Sequence, residues 1–351
     1  MTTLSQLLDQ VRAAVSDSEP LCIVGGNSKR HLGREPAGSP IEVADYAGVV
    51  EYEPTELVVS VRAGTTVRDL RDILAEEDQM LACDPPEFDG NATLGGTLAC
   101  SQSGPSRPWY GSIRDHVLGI RLINGKGEHL RFGGQVMKNV AGYDVSRLQA
   151  GAMGTYGLLT EVTLKVLPKP DSSMTVRRRA DANQAIRAMN EFSMTPTPLT
   201  GACWCDGDMY LRLSGPGTVV EAAASGLEGE RLADSAAFWT ALRDQAWPFF
   251  ESAKDLWRFS VRSNSPHSKP QNDWLIDWGG AQRWLAGQHD GDELENIAAS
   301  YGGEVTRNRG GDRNAEGLPS LSGSKRALLT RMKQAFDPAG VFNPGRLYSW
   351  M

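Results

Sequence analysis

"AGYDVSRLQAGAMGTYGLLTEVTLKVLP", residues 141 to 168, decides how this chain is read. Gly142, Gly151, Gly154 and Gly157 fall within sixteen positions, and the glycines then give way to alternation, with Val162, Leu164 and Val166 set against Glu161, Thr163 and Lys165. Period two is the signature of a half-buried strand, and "PKPD" ends it. Glycine gives the backbone access to positive φ and removes Cβ, so a glycine-dense loop in front of a strand predicts a close neighbour on the glycine side. The chain is expected to fold as an α+β protein whose first domain closes near residue 170.

The same grammar extends upstream. Leu4, Leu7, Leu8, Val11 and Val15 recur at helical spacing in the first twenty residues. "PLCIVGGNSKR" (20 to 30) reads as a buried strand entering a glycine turn, and "ELVVSVRAG" (56 to 64) as a second strand. After it, Thr66 and Asp69 form a capping-box-like start for a helix with Val67, Leu70 and Leu74 on one face. Residues 83 to 111 read as a long ordered loop, and "VLGIRLINGKGEHLRFGG" as a hairpin turning at "NGKG".

Downstream of residue 170, helical stretches ("ANQAIRAMNEF") alternate with strands ("DMYLRLSG", "LWRFSV", "WLIDW"), predicting a smaller α+β domain with an antiparallel sheet over 171 to 320. The segment 321 to 351 is expected to return to the first domain, after a last helix carrying Leu328, Leu329, Met332 and Phe336 on one face.

Thirty-six basic and forty-three acidic residues in 351 give a net charge of -7 without long single-sign runs, which argues against a nucleic-acid partner and a polybasic membrane anchor. No secretory leader or long apolar run is visible, so a cytoplasmic location is expected. The five cysteines make no C-x-x-C pair, and the five histidines (His31, His116, His129, His267, His289) show no metal-ligand spacing, so no metal site is predicted.

Three glycine-dense segments lie beside strands: "GGNSK" at 25 to 29, "NATLGG" at 91 to 96 with "SGP" at 103 to 105, and the 142 to 157 stretch. A tight turn would explain any one of them; together they point to a diphosphate or dinucleotide held by main-chain N–H groups. Neither G-x-G-x-x-G after a strand nor G-x-x-x-x-G-K-[ST] is present, which excludes the Rossmann and Walker A versions of such a site.

In order and spacing, "VVSVRAGTTVRDLRDILAEEDQML", "ATLGGTLACSQSGP", "GSIRDHVLGIRLINGKGE" and the 136 to 168 stretch resemble the FAD-binding domain of the vanillyl-alcohol oxidase and p-cresol methylhydroxylase (PCMH-type) superfamily. "FDPAGVFNPGRL" (336 to 347) resumes the resemblance. The short cap region, with "LWRFSV" and "DWGGAQRWL", is similar to that of the E-type FAD-binding subunits of bacterial glycolate oxidase, also called glycolate dehydrogenase.

The resemblance implies an FAD-binding domain of two α/β subdomains, divided near residue 50, plus the cap. It implies FAD contacts at Gly25, Gly26, Asn27 and Ser28, at Thr93, Gly95, Gly96 and Gly104, and at Gly142, Gly151, Gly154, Thr155 and Gly157. Some members attach flavin through a histidine near the first loop; here Asn27 follows the second glycine, so FAD is expected to be held non-covalently. Ala152 and Met153 stand where relatives often carry Ser and an acidic residue, which removes one possible hydroxyl contact and leaves the main chain. The partners implied are a larger FAD-containing subunit and an iron-sulfur subunit, with any membrane association peripheral and through them.

Within "LWRFSVR", Trp257, Phe259 and Val261 share one face and Arg258, Ser260 and Arg262 the other. Arg258 is the candidate clamp for a substrate carboxylate, the alternative being a solvated sheet face. No residue is assigned as the general base. Six tryptophans between Trp239 and Trp284 are expected to build the cap core or a subunit interface.

Two readings follow. The chain is a subunit taking part in oxidation of a 2-hydroxy acid, glycolate, to the 2-oxo acid. Alternatively, it is a flavin-bearing electron-transfer or scaffold subunit with substrate chemistry on the larger partner. The larger relatives carry an H-x-G-D-G-N-x-H element in the cap, which this sequence lacks.

Overall fold

The computed structural model describes residues 2–134, 143–267 and 273–351. Its first helix, Leu4–Asp17, opens with a capping box between Thr3 and Gln6 and turns Leu7, Val11 and Ala14 into the core. Strand Leu21–Val24 pairs in parallel with Ser39–Glu42. The C-terminal tail completes this unit: Leu21 N–H donates to Val341 O (2.7 Å), Asn343 N–H returns to Leu21 O (2.9 Å), and Phe342 is fully buried.

Beyond residue 48 the chain builds a five-stranded antiparallel sheet, in the order Val49–Glu53, Val58–Arg62, Leu158–Lys165, Val117–Ile123, His129–Gly133. The expected strand at 56 to 64 starts at Val58, because Pro54–Glu56 form a turn of 3-10 helix. Alternation holds along Leu158–Lys165: Val162 and Leu164 are buried, while Glu161, Thr163 and Lys165 are partly exposed. Thr66 caps helix Val67–Ala75 by accepting from Asp69 N–H.

Residues 83 to 111 are ordered, but they are not the plain loop the sequence suggested. Helix Leu94–Cys100 is capped by Thr93, and a one-turn helix covers Arg107–Tyr110. Gly95 and Gly96 oppose helix formation by their own conformational freedom, which hid this element. The cap and the burial of Leu94 and Leu98 in the main core outweigh that cost.

The C-terminal half folds around an eight-stranded antiparallel sheet, in the order Glu230–Arg231, Ser172–Arg179, Asp208–Gly215, Leu199–Cys205, Trp274–Asp277, Gln282–Ala286, Leu256–Ser260, Glu304–Arg309. Trp239, Trp257, Trp274, Trp278 and Trp284 are all buried in it. An ion network joins this sheet layer to the segment around residue 87. Glu87 is approached by Arg68 (3.4 Å), Arg71 and Arg243 (3.2 Å), and its N–H donates to Asp244 Oδ1 (2.8 Å).

The last helix, Gly323–Phe336, packs Leu329, Met332 and Phe336 of its expected face against a cluster of Ala152, Tyr156, Leu347 and Met351, while Leu328 is 56% exposed and Lys333 is buried. Lys333 Nζ donates to Thr155 O (2.8 Å), Asp337 Oδ2 (2.7 Å) and Phe342 O (2.8 Å), so the cation is satisfied three times over where it enters the core. Among the described residues, no helix is long and apolar enough to cross a membrane.

Candidate functional site

An open cleft, with about 900 Å³ of empty space counting the solvent at its mouth, lies where strand Leu21–Val24, helix Leu94–Cys100, the turn before strand Leu158–Lys165 and the C-terminal tail meet. Its wall brings together residues far apart in sequence: Gly25, Gly26, Asn27 and Ser28 from the first loop, Thr93, Gly95 and Gly96 from the second, Gly154 and Gly157 from the third. Lys29, Val43, Ala63, Cys100, Met153, Asn343 and Arg346 also line it, and none of them was among the expected contacts.

Of the other residues expected here, Gly142 lies outside the described residues. Gly104, Gly151 and Thr155 do not line the cavity. Gly104 sits hard against the Asp84 carbonyl, and its own carbonyl accepts from Trp278 Nε1 (3.0 Å), so it ties this segment to the cap. Gly151 forms a positive-φ turn (φ +85°) with its N–H on Leu98 O (3.1 Å). Thr155 is fully buried and spends its hydroxyl on Ala152 O (2.8 Å).

Four glycines of the wall make close contacts within the protein. Where a Cβ would stand, protein already stands. At Gly26 it is the Asn91 carbonyl, at Gly25 it is Thr93 Oγ1 (2.6 Å), at Gly95 the Ala63 Cβ (2.8 Å), and at Gly157 the Ile123 carbonyl (2.7 Å). Missing side chains thus let the glycine main chain pack against carbonyls at Gly26 and Gly157 and against the small side chains of Thr93 and Ala63 at Gly25 and Gly95, and the cavity is framed by the segments so joined. Thr93 holds its own loop by accepting from Gly96 N–H (3.3 Å).

The tail fastens the opposite wall. Asn343 Oδ1 accepts from Ile23 N–H (2.8 Å), and its Nδ2 donates to Met153 O (2.6 Å), clamping the first and third loops together. Arg346 points its guanidinium at the carbonyls of Arg34 (2.7 Å), Arg30 (3.2 Å) and Lys29 (3.4 Å). His31, the nearest histidine to the first loop, stands edge-on to Phe88 (5.9 Å), and burial with the cations around it pulls its imidazole down to about 4.

The donor set suits a dinucleotide. An open, partly apolar cavity edged by main chain from three segments, with a buried ammonium (Lys29 Nζ) that has no partner among the described residues, fits an extended ligand with anionic oxygens.

A second constellation lies at the junction with the cap. The Arg107 and Arg258 guanidiniums sit over the Trp278 ring, 4.4 and 5.9 Å from its centroid. Neither has an ion-pair partner among the described residues, and Arg258 Nε is buried without an acceptor. Burial, and then the like charge of Arg107, pull the Arg258 guanidinium down to about 10. The sequence expectation paired Arg258 with Ser260 and Arg262 on one strand face; the structure pairs it with Arg107, more than a hundred residues away.

Fold and cavity define an FAD-binding protein of the PCMH type, and residues 1–133 match the family model described as an FAD binding domain. Over 343 residues the chain is 45% identical to glycolate oxidase subunit GlcE of Escherichia coli (strain K12), covering 98% of this chain and 97% of that protein. The chain belongs to the glycolate oxidase subunit GlcE family. It is also 34% identical to glycolate oxidase subunit GlcD of Bacillus subtilis (strain 168), over 36% of this chain and 27% of that one. A solved structure of alkyldihydroxyacetonephosphate synthase has the same fold: TM-score 0.67 at 15% identity, over 97% of this chain and 75% of the other.

Proposed function

We propose that this chain is the FAD-binding subunit of a glycolate oxidase, taking part in oxidation of glycolate to glyoxylate and passing the electrons to a partner. The cavity carries this reading, because its walls come from the glycine loops and the tail and fit an FAD at Gly25 to Ser28, Thr93, Gly95, Gly96, Gly154 and Gly157. Bound there, FAD supplies the acceptor for the two electrons that leave the substrate. Arg258 and Arg107 are read as a pair that holds the substrate carboxylate, since two guanidiniums over one indole, neither with an ion-pair partner among the described residues, would gain most from a carboxylate. A larger FAD-containing subunit and an iron-sulfur subunit complete the complex in this reading, with any membrane contact peripheral and made through them.

The division into 1–170, 171–320 and 321–351 goes with it: the main core runs to Val166, and a separate cluster begins at Val176. Within the first part, the change from the parallel strand pair to the antiparallel sheet between Glu42 and Val49 supports a subdomain boundary near residue 50.

A second reading keeps the flavin and moves the substrate chemistry to the larger partner. It is favoured by a sequence with five histidines and no H-x-G-D-G-N-x-H element.

Anaerobic glycolate added to the FAD-loaded chain separates the two. Rapid bleaching of the flavin absorbance, slowed at least about 100-fold in Arg258→Met, is the result expected if this chain oxidises substrate. A flavin that stays oxidised until the larger subunit is added assigns the chain the electron-relay role. A chain that fails to retain any FAD through desalting overturns both.

A further inference from the structure

Lys29 closes the first glycine loop and is 7% exposed. Its Nζ has no hydrogen-bond or ion-pair partner among the described residues; it lies 5.5 Å from the centroid of the Phe88 ring. An ammonium withdrawn from water without a carboxylate is a costly arrangement for a folded chain to keep. Burial lowers this one to about 8, with Cys100 the only group drawing it back up.

The other buried lysine shows what a purely structural role requires. Lys333 has three oxygen acceptors within 2.8 Å. The cations beside Lys29 are likewise committed: Arg346 to three main-chain carbonyls, Arg30 to Glu35 (2.6 Å). Lys29, on the cavity wall, is left with its charge unspent.

We infer that Lys29 is a cofactor-binding residue whose ammonium meets an anionic oxygen of the FAD held in this cavity. The inference rests on the FAD reading above. FAD offers such oxygens in two places, the diphosphate and the pyrimidine edge of the flavin ring, where negative charge gathers on reduction. In either place a cation with no partner among the described residues gains a charge-assisted hydrogen bond when the cofactor enters.

The full-length apo chain, with its Lys29→Met and Lys29→Arg variants, tests this by FAD titration, by the flavin midpoint potential and by thermal melting of the apo forms. Lys29→Met is expected to weaken FAD binding roughly 10- to 100-fold, Lys29→Arg to recover most of it, and apo Lys29→Met to melt at or above the wild-type temperature because an uncompensated charge has gone. Loss of ADP binding with riboflavin binding and potential unchanged identifies the diphosphate as the acceptor. A lowered potential together with weakened riboflavin binding identifies the flavin edge. Wild-type affinity and potential in Lys29→Met overturn the inference and leave the FAD reading standing, as does an apo variant that melts well below wild type, which makes the residue structural. A wild-type chain that binds no FAD defeats the FAD reading and this inference together.

Discussion

Gly26→Ala is expected to give a chain that loses FAD on desalting, with affinity reduced by more than about 100-fold and stability by about 1–3 kcal/mol. The added methyl would overlap the Asn91 carbonyl, so the 25–29 loop and the 91–96 segment would have to part. Neither side is free to move. The second segment is held to the neighbouring turn by Val67 N–H on Ala92 O (2.7 Å) and by Leu94 N–H on Thr65 O (2.8 Å). The first is held by Val43 N–H on Val24 O (2.8 Å) and by Asn343 on Ile23 N–H (2.8 Å). Strain therefore falls on the cavity wall itself.

Gly226→Ala is the matched control. Gly226 is the exposed last residue of helix Gly217–Gly226, with nothing within 4 Å of where a Cβ would stand, and alanine there should stabilise by about 0.5–1 kcal/mol while leaving the flavin spectrum unchanged. Equal FAD affinity in Gly26→Ala and wild type, measured by fluorescence titration, would remove the loop contact from any account of cofactor binding.

What the sequence made legible is what neighbours in the chain decide. Thr66 two residues after Gly64, the alternation from Glu161 to Val166 and the "NGKG" turn all signal their structures within a few positions, and the structure has the helix, strand and hairpin they imply. Contacts across the fold left no such signal. Asn91 lies far along the chain from Gly26, so the glycine could be read as making room for something without revealing that the something was main chain. Arg258 was visible through strand alternation, whereas Arg107 and Trp278 come from other elements and meet it only after the cap has docked.

Burial of cations was the least legible feature. Lys333 sits beside the apolar face of its helix, between Met332 and Phe336, and the three oxygens that accept from it belong to the turn at Thr155, the helix end at Asp337 and the tail at Phe342. Lys29 had one local cue, a lysine directly after a buried strand and a glycine turn. That cue gives proximity to the cavity, while the absence of a partner for its ammonium among the described residues emerges only from the packed structure.

As pH rises from about 4 to about 7, Asp277→Asn should become progressively more stable than wild type, because Asp277 contributes a fall in stability over that range, against the rise that the lowered His31 contributes. Asp277 is 3% exposed, and burial raises its carboxyl to about 7 even though Trp278 N–H (2.7 Å) and Gln282 Nε2 (3.4 Å) donate to it. The sign follows from proton counts. Below the unfolded value near 3.8, folded and unfolded chains both hold the proton; between that value and about 7 only the folded chain does. Its contribution is thus fully present at low pH and lost as pH climbs through the folded value, for a total of up to about 4 kcal/mol. Asparagine keeps the carbonyl that accepts from Trp278 N–H and never ionises, so the variant should match wild type near pH 4 and exceed it by several degrees in Tm at pH 8. Because Asp277 anchors the turn that presents Trp278 to Arg107 and Arg258, the charge that appears above about pH 7 acts at the base of the candidate carboxylate site. Urea unfolding at intervals from pH 4 to 8 reads the effect directly, and parallel curves for the two proteins would mean that Asp277 does not carry the titration.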